Sequence, residues 1–345
     1  MFWNQFYLTS VSLDYQMNKK NKLPIGKLNN DLLSKILNAI SNETSNPKVG
    51  QDSAEISVSE RDFILVSTDP ITFQNENIGK YCIEINSNDI YASGGIPKWF
   101  LLTILIPENT NFKNIEEITN NVSKTAKKYG IEIVGGHTEI TSSVNQIILN
   151  GTMIGTYSKN FNPNQKVTEN MDIILAGYCG IEGSKIISEL QNNQKGMRNL
   201  ELYNSSQNMS VSVKDIAITA VNTKNVVKMH DPTEGGIATA IHELSDYANL
   251  GCQIYYEKVE FVPFFLETCN TLNINPLGVI SSGCLLIISK KTESKKIIDS
   301  LNTNNIKSKI IGYTKNKDYG KKININDQNV DLLRFDQDEI TKILK

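Results

Sequence analysis

Asn88-Asp89-Ile90-Tyr91-Ala92-Ser93-Gly94-Gly95-Ile96-Pro97, running straight into the apolar stretch Trp99–Ile106, is the segment that decides the fold class. Upstream of it, Ile78, Cys82, Ile85 and Asp89 recur at helical spacing, which predicts a helix over 77–93. Gly94-Gly95-Ile96-Pro97 stops that helix, because glycine and proline break helical hydrogen bonding. Trp99–Ile106 then reads as a core strand. A helix that turns at once into a buried strand points to mixed helix and sheet layers. Asp89 falls on the inward stripe, where an ionised carboxylate is costly unless it is paired.

The same grammar extends in both directions. Leu32, Leu33, Ile36, Leu37 and Ile40 form one stripe of a helix over 30–41. Phe63–Ser67 is a buried strand leading into Thr68-Asp69-Pro70. Residues 113–129 are an amphipathic helix stopped by Gly130, and Ile131–Val134 is a short strand entering a turn at Gly135-Gly136-His137-Thr138-Glu139. Gln146–Thr156 is another strand, followed by a break at Ser158–Thr168 rich in Asn, Lys and Pro. A second pattern follows: a strand at Asp172–Ala176, a turn punctuated by Gly177, Gly180 and Gly183, a helix from Ser184, a helix over Ile237–Ala248 and a strand within Leu277–Ile288. The expected architecture is α/β (α+β) in two domains, 1–165 and 166–345.

Bulk properties narrow the function. With 35 basic and 37 acidic residues the chain has no global attraction to nucleic acid or to an anionic membrane. The five cysteines include no Cys-x-x-Cys pair, which argues for a reducing compartment and against a disulfide framework or zinc knuckle. Met1–Lys20 lacks the basic-then-apolar order of a signal peptide, and no apolar run reaches membrane-spanning length. A cytoplasmic protein is expected.

The recurring chemical feature is an acid beside glycine or at the mouth of a strand or helix: Asp52, Asp69, Asp89, Glu139, Asp231 and Glu234. Singly, these are ordinary turns and helix starts. Together they suggest hard oxygen ligands for Mg²⁺, which bridges carboxylates to phosphate oxygens. Gly135-Gly136, Gly180-x-x-Gly183 and Gly235-Gly236 could offer backbone N–H groups to phosphate, although no Walker A sequence is present. Of the histidines, His242 reads as structural, while His137 and His230 adjoin glycine-acid motifs and could contact phosphate or move a proton. Cys179, in the 177–183 turn, is the one thiol placed for chemistry.

The motifs, in order, resemble the ATP-dependent enzymes related to aminoimidazole ribonucleotide (AIR) synthetase, which include HypE, thiamine-monophosphate kinase and selenophosphate synthetase. Leu23-Pro24-Ile25-Gly26-Lys27-Leu28 looks like the opening of the HypE-like branch. Gly50-Gln51-Asp52-Ser53-Ala54 resembles Gly-Asp-Asp-Ala-Ala, and Ser67-Thr68-Asp69 resembles Thr-Thr-Asp. Asn88–Pro97 resembles Asn-Asp-Leu-Ala-Val-Met-Gly-Ala-x-Pro, and Gly135-Gly136-His137-Thr138 occupies the family's Gly-Gly turn. His230-Asp231-Pro232-Thr233-Glu234-Gly235-Gly236 is similar to His-Asp-Pro-Thr-Arg-Gly-Gly.

The resemblance implies an N-terminal sheet that pairs with a second copy into a dimer barrel, a C-terminal α/β domain, and ATP in the cleft between domains. It implies Asp52, Asp69, Asp89 and Asp231 as holders of Mg²⁺, with Asp89, His137 and Asp231 closest to the chemistry. Lys27, Asp69, Gly135, Gly136, Thr138, Gly235 and Gly236 would contact the nucleotide. The reaction implied is phosphorylation of an oxygen of a small substrate, with a nucleotide-binding accessory protein as the alternative. The chain departs from its relatives at Gln51, His137 and Glu234, and its last cysteine is Cys284 rather than the terminal cysteine of HypE. The substrate is therefore left open.

Overall fold

The computed structural model describes residues 30–40, 51–58, 63–72, 77–193 and 200–343. Lys27, with the rest of the 23–28 motif, and Gly50 lie outside them. The first region holds α1 (Asn30–Ile40), β1 (Ala54–Ser57), β2 (Phe63–Ile71), α2 (Ile78–Ala92), β3 (Gly95–Ile106), α3 (Phe112–Tyr129), β4 (Glu132–Ile140) and β5 (Ile148–Tyr157). The second holds β6 (Met171–Ala176), α4 (Ile181–Asn193), α5 (Leu200–Ser206), α6 (Lys214–Asn222), β7 (Val226–His230), α7 (Gly236–Ala248), β8 (Gly251–Tyr255), α8 (Phe265–Thr271), β9 (Leu285–Lys290), α9 (Ser294–Thr303), β10 (Ser308–Lys315), β11 (Lys321–Ile325) and β12 (Gln328–Asp331). Two sheets result, ordered β1-β2-β5-β3-β4 and β12-β11-β8-β10-β6-β9-β7. The break in composition at 158–168 falls in the connector between β5 and β6.

In the first sheet every neighbouring pair is antiparallel except β3 with β4. That parallel pair needs a crossover, and α3 supplies it. The Asn111 side chain accepts the Lys113 N–H at the start of α3, and Gly130 ends it at φ +71°. The sequence predicts a turn at 135–139, but these residues continue β4, in register with Leu101–Leu105 of β3. Gly136 makes this possible: a Cβ there would sit 1.9 Å from the Leu102 carbonyl oxygen. Gly136 serves close strand approach, not a turn. All nine residues of β4 are exposed.

Helix α2 explains how the two regions join. Its Cys82, Ile83 and Ile90 pack with Leu65, Phe100, Leu149 and Met153 of the first sheet. Its Tyr81 packs with Ile181, Ile187 and Phe265, and its Tyr91 and Ala92 with Ile174, Ala217 and Leu285 of the second region. Asn88 fixes the seam: its Nδ2 donates to the Val211 carbonyl at 2.9 Å and its Oδ1 accepts the Val213 N–H at 2.9 Å. In the second sheet, β6 is buried throughout and β9 nearly so, as befits central strands.

Among the described residues, α2 and α3 pack on one face of the first sheet and the other face is partly exposed. Leu101, Thr103 and Leu105 alternate with the buried Phe100, Ile104 and Ile106, and Leu101 and Ile96 are exposed there. The exposed Leu101 and Ile96 give that face an apolar surface of a kind that commonly marks an interface.

Candidate functional site

Three of the four aspartates reach the seam from the first region. Asp69 is on β2 beside Leu65 and Ile71, on the side facing α2. Its N–H donates to Asn86 Oδ1 at 3.0 Å, and Asn86 Nδ2 donates back to the Asp69 carbonyl at 3.2 Å, so α2 holds this strand in register. Gly151 leaves the room: a Cβ there would lie 2.5 Å from Asn86 Nδ2. Asp89 is on the last turn of α2, and Asp52 precedes β1, where the Ser53 hydroxyl donates to Ser93 Oγ at 2.7 Å. Asp231, 3% exposed, comes from the second region just after β7.

The electrostatics show that these groups converge. Burial raises the Asp89 carboxyl well above the usual range, and Asp69, Asp231 and Asp52 push it further, with a hydrogen bond to Asp69. Burial, then Asp52 and Asp69, raise Asp231 to about 7 against the opposing pull of His230. Such a set of carboxyls repels itself and favours either protons or a cation. Carboxylate oxygens around a shared point are the donor chemistry that Mg²⁺ prefers, and Asp52 and Asp231 bring carboxylate oxygens within 4.8 Å of one another.

His230 answers a different need from the one its sequence suggests. Its Nδ1–H donates to Asp52 in a very short hydrogen bond, and its Nε2–H donates to Glu243 of α7 at 3.0 Å. Burial lowers its pKa, but Asp52 and Glu243 outweigh that and raise it to about 10. A histidine fixed as imidazolium between two carboxylates is a clamp, not a proton shuttle. Lys228 Nζ, 3.5 Å from Asp52 Oδ2, adds to it. Burial would raise the Asp52 carboxyl; His230 and Lys228 together bring it below its ordinary value. His230 was within sequence reach; its partner Glu243 was not, because nothing local marks a carboxylate on a helix face as aimed at a strand end.

Other expected residues stand elsewhere. His137 is exposed on the edge strand, opposite Thr103 on the uncovered sheet face, with Glu139 Oε2 3.6 Å away; it is not among the groups acting on the aspartates. Gly135, Gly136 and Thr138 share that edge. Gly235 and Gly236 are not a free phosphate cradle: the Gly235 N–H donates to Asp338 Oδ2 at 2.7 Å and the Gly236 N–H to the Thr233 carbonyl at 3.0 Å. The 177–183 turn is likewise committed, with the Gly180 N–H on Ser281 Oγ and the Gly183 N–H on the Ile280 carbonyl. Its glycines serve packing, since a Cβ on Gly180 would lie 2.6 Å from the Phe265 ring. Cys179 is fully buried, 3.9 Å from the Cys284 sulfur, with its pKa pushed up by burial, so it is an inert core thiol. His242 is structural: its Nε2–H donates to the Leu332 carbonyl at 3.0 Å.

Asp338 gives a test of this packing. Burial raises its carboxyl from 3.8 to about 7, despite the N–H groups of Ile340 and Gly235. A carboxyl whose folded pKa exceeds its unfolded value stabilises the fold at low pH, and that contribution is lost as pH rises from about 4 through about 7. Asp338→Asn is expected to flatten the fall of Tm across this window, read by thermal unfolding at successive pH values. An unchanged slope would place the titration in another group.

Comparison with known proteins adds the context. Residues 50–157 match the family model for the AIR synthase related protein N-terminal domain, and 172–323 match that for its C-terminal domain. The chain belongs to the AIR synthase related family. Among its family relatives, a Methanocaldococcus jannaschii protein named for hydrogenase expression or formation is 25% identical over 273 residues, covering 76% of this chain and 78% of that protein. Escherichia coli carbamoyl dehydratase HypE is 23% identical over 254 residues, covering 71% and 74% respectively. A crystal structure of HypE in complex with ATP shares the fold at a TM-score of 0.70 and 19% identity, covering 89% of this chain and 91% of that one. The two-sheet α+β architecture expected from the family is thus the one found. No helix among the described residues is long and apolar enough to cross a membrane.

Proposed function

We propose that this chain is a HypE-like ATP-dependent enzyme that uses Mg²⁺ and ATP to phosphorylate, and so activate, an oxygen of a small substrate. The observation that carries this reading is the meeting of Asp52, Asp69 and Asp89 with Asp231 across the seam, where burial, and then their mutual repulsion, keeps Asp89 and Asp231 hard to ionise. The ATP complex of HypE, a structure of the same fold, supports the nucleotide.

Bound Mg²⁺ supplies positive charge against the phosphate oxygens. Asp69, Asp89 and Asp231 are the carboxylates that would hold it. Asp52 already bonds His230 and Lys228, so its part is to tie the cluster to the second region. Asn86 keeps Asp69 in place, and Asn88 keeps α2 on the second region. Catalysis of this type rests on position and charge neutralisation more than on proton movement. Titration calorimetry with Mg²⁺ and a non-hydrolysable ATP analogue tests the reading; absence of Mg²⁺-dependent binding would end it. Binding without phosphate release against any acceptor would move the protein to the accessory role.

The uncovered face of the first sheet is assigned to a second copy of the chain, forming a homodimer. Its exposed Ile96 and Leu101 support this. Roles for Gly135, Gly136, His137 and Thr138 at the nucleotide require that second copy to close over their edge. Leu101→Glu is expected to convert a dimer to a monomer in light scattering after gel filtration, since a buried charge without a partner is strongly disfavoured. A wild-type protein that is already monomeric at micromolar concentration contradicts the assignment.

A further inference from the structure

The second sheet carries a lysine and tyrosine face that the aspartate cluster does not use. Cys252 and Ile254 of β8 and Ile323 of β11 pack with Ile237, Ile241 and Leu244 of α7. Alternation along the strand therefore turns Gln253 and Tyr255 to the other face. Tyr313 of β10 pairs with Gln253, and Asn324 of β11 pairs with Tyr255, so they share that face. It lies over β10, β8 and β11, whereas β7, which leads to Asp231, is the opposite edge of the sheet.

The side chains form one connected cluster. The Tyr255 and Tyr313 rings lie 6.2 Å apart, with their hydroxyls 3.5 Å from one another. Lys258 Nζ sits 4.4 Å from the centre of the Tyr255 ring, and Lys291 Nζ 5.2 Å from that of Tyr313. Lys315 Nζ lies between Tyr313 and Tyr319, at 4.8 and 5.1 Å. Tyr319 is anchored in turn, its hydroxyl donating to Gln253 Oε1. Each ammonium is thus held against a ring by attraction to its π face. Lys258 and Lys291 are exposed and Lys315 is half-buried. Among the described residues no carboxylate stands within ion-pair distance of these lysines, unlike the neighbouring Lys322, which pairs with Asp331 at 2.6 Å. Of the nearby acids, Asp172, in register with Tyr313, is under a tenth exposed, Glu257 accepts the Asn326 N–H, and Asp318 is exposed beside Tyr319.

The face therefore presents donors: the ammoniums of Lys258, Lys291 and Lys315 and the hydroxyls of Tyr255 and Tyr313. The chain as a whole is slightly acidic, with 35 basic against 37 acidic residues, so this patch has a field of its own sign. Lysine already lies on the ring faces, which leaves a nucleic-acid base little to stack on. Carboxylates need no ring face. On an extended peptide every second side chain points the same way, about 7 Å apart, close to the ring spacing here.

We propose that this face docks an acidic segment of a partner protein, bound in extended form, with alternate carboxylates received by the three lysines and the two tyrosine hydroxyls. It requires neither ATP nor the aspartate cluster.

The full chain is titrated with a short fluorescein-labelled peptide of alternating glutamate and serine, its glutamine-for-glutamate counterpart and an oligothymidylate of equal length, read by anisotropy. The glutamate peptide is expected to bind at low salt, to be released as salt rises and to outbind the other two. Lys258→Glu with Lys315→Glu should weaken it at least about tenfold. The same change of charge on α3, Lys113→Glu with Lys124→Glu, should leave it nearly unaltered. Tyr255→Phe with Tyr313→Phe keeps the rings and removes the hydroxyls; it should weaken the peptide about threefold, and serves if the lysine variant fails to fold. No binding of the glutamate peptide, equal binding of the glutamine peptide, or equal loss in the α3 variant overturns the proposal. Tighter binding of the oligothymidylate overturns it as well and gives the face to nucleic acid.

Discussion

Asp89→Asn is expected to make the protein more stable and at the same time inactive. Asparagine fits the same space and still hydrogen-bonds Asp69, but it is not an acid that burial and the carboxylates of Asp69, Asp231 and Asp52 must hold protonated. Folding without metal no longer carries the cost of protonating that carboxyl at neutral pH, so Tm in the presence of a chelator rises. Mg²⁺-dependent ATP binding moves the other way. Losing one oxygen ligand from a preorganised, desolvated cluster is expected to weaken it about a hundredfold. Thermal unfolding in EDTA and calorimetry with Mg²⁺ and the ATP analogue read the two effects separately. Wild-type affinity in the variant would show that the cluster does not hold the metal. A fall in Tm would show that Asp89 is a structural pairing partner instead.

His230→Ala is expected to cost about 3–5 kcal/mol of stability, the scale for breaking a buried ion network by removing one member. The imidazolium is the shared partner of Asp52 and Glu243, all three with side chains under a tenth exposed. Alanine takes the imidazolium from both Glu243 and Asp52, with Lys228 still 3.5 Å from Asp52. The midpoint of urea unfolding should fall with little change in slope. The combined variant Asp52→Asn, His230→Gln, Glu243→Gln removes every charge at once and should lose less than the single change. If the single and triple variants are equally unstable, the loss is one of packing and not of the clamp.

Much of the frame was legible in sequence because it rests on local rules. The α2 helix, its glycine stop and the β3 strand follow from spacing and from Gly94, which adopts φ +80°. The four aspartates were also legible as a set. What escaped is what depends on distant partners. The stripe of Ile78, Cys82 and Ile85 describes α2 as one-sided, yet Glu84, Asn86 and Asn88 are buried as well. Polar residues read as surface until a second layer is known to cover them, and here that layer is contributed by residues a hundred positions later. Gly135-Gly136 and Gly235-Gly236 misled for the opposite reason. A glycine pair signals close backbone approach, and sequence does not say whether a phosphate or a neighbouring strand makes it. The strand made it at Gly136, and Asp338 took the N–H at Gly235.

Helix α2 also sets an order of events during synthesis. The first sheet is complete once Tyr157 has emerged, but Tyr81, Tyr91 and Ala92 belong to cores whose other members run from Ile174 to Leu301 and Ile340. Until those residues leave the ribosome, the nascent chain carries a finished sheet with an unclothed helix flank. That interval is when it is most open to aggregation or chaperone capture. A fragment ending after Tyr157 should bind a hydrophobic dye where the full chain does not, and its solubility should be the first property to fail.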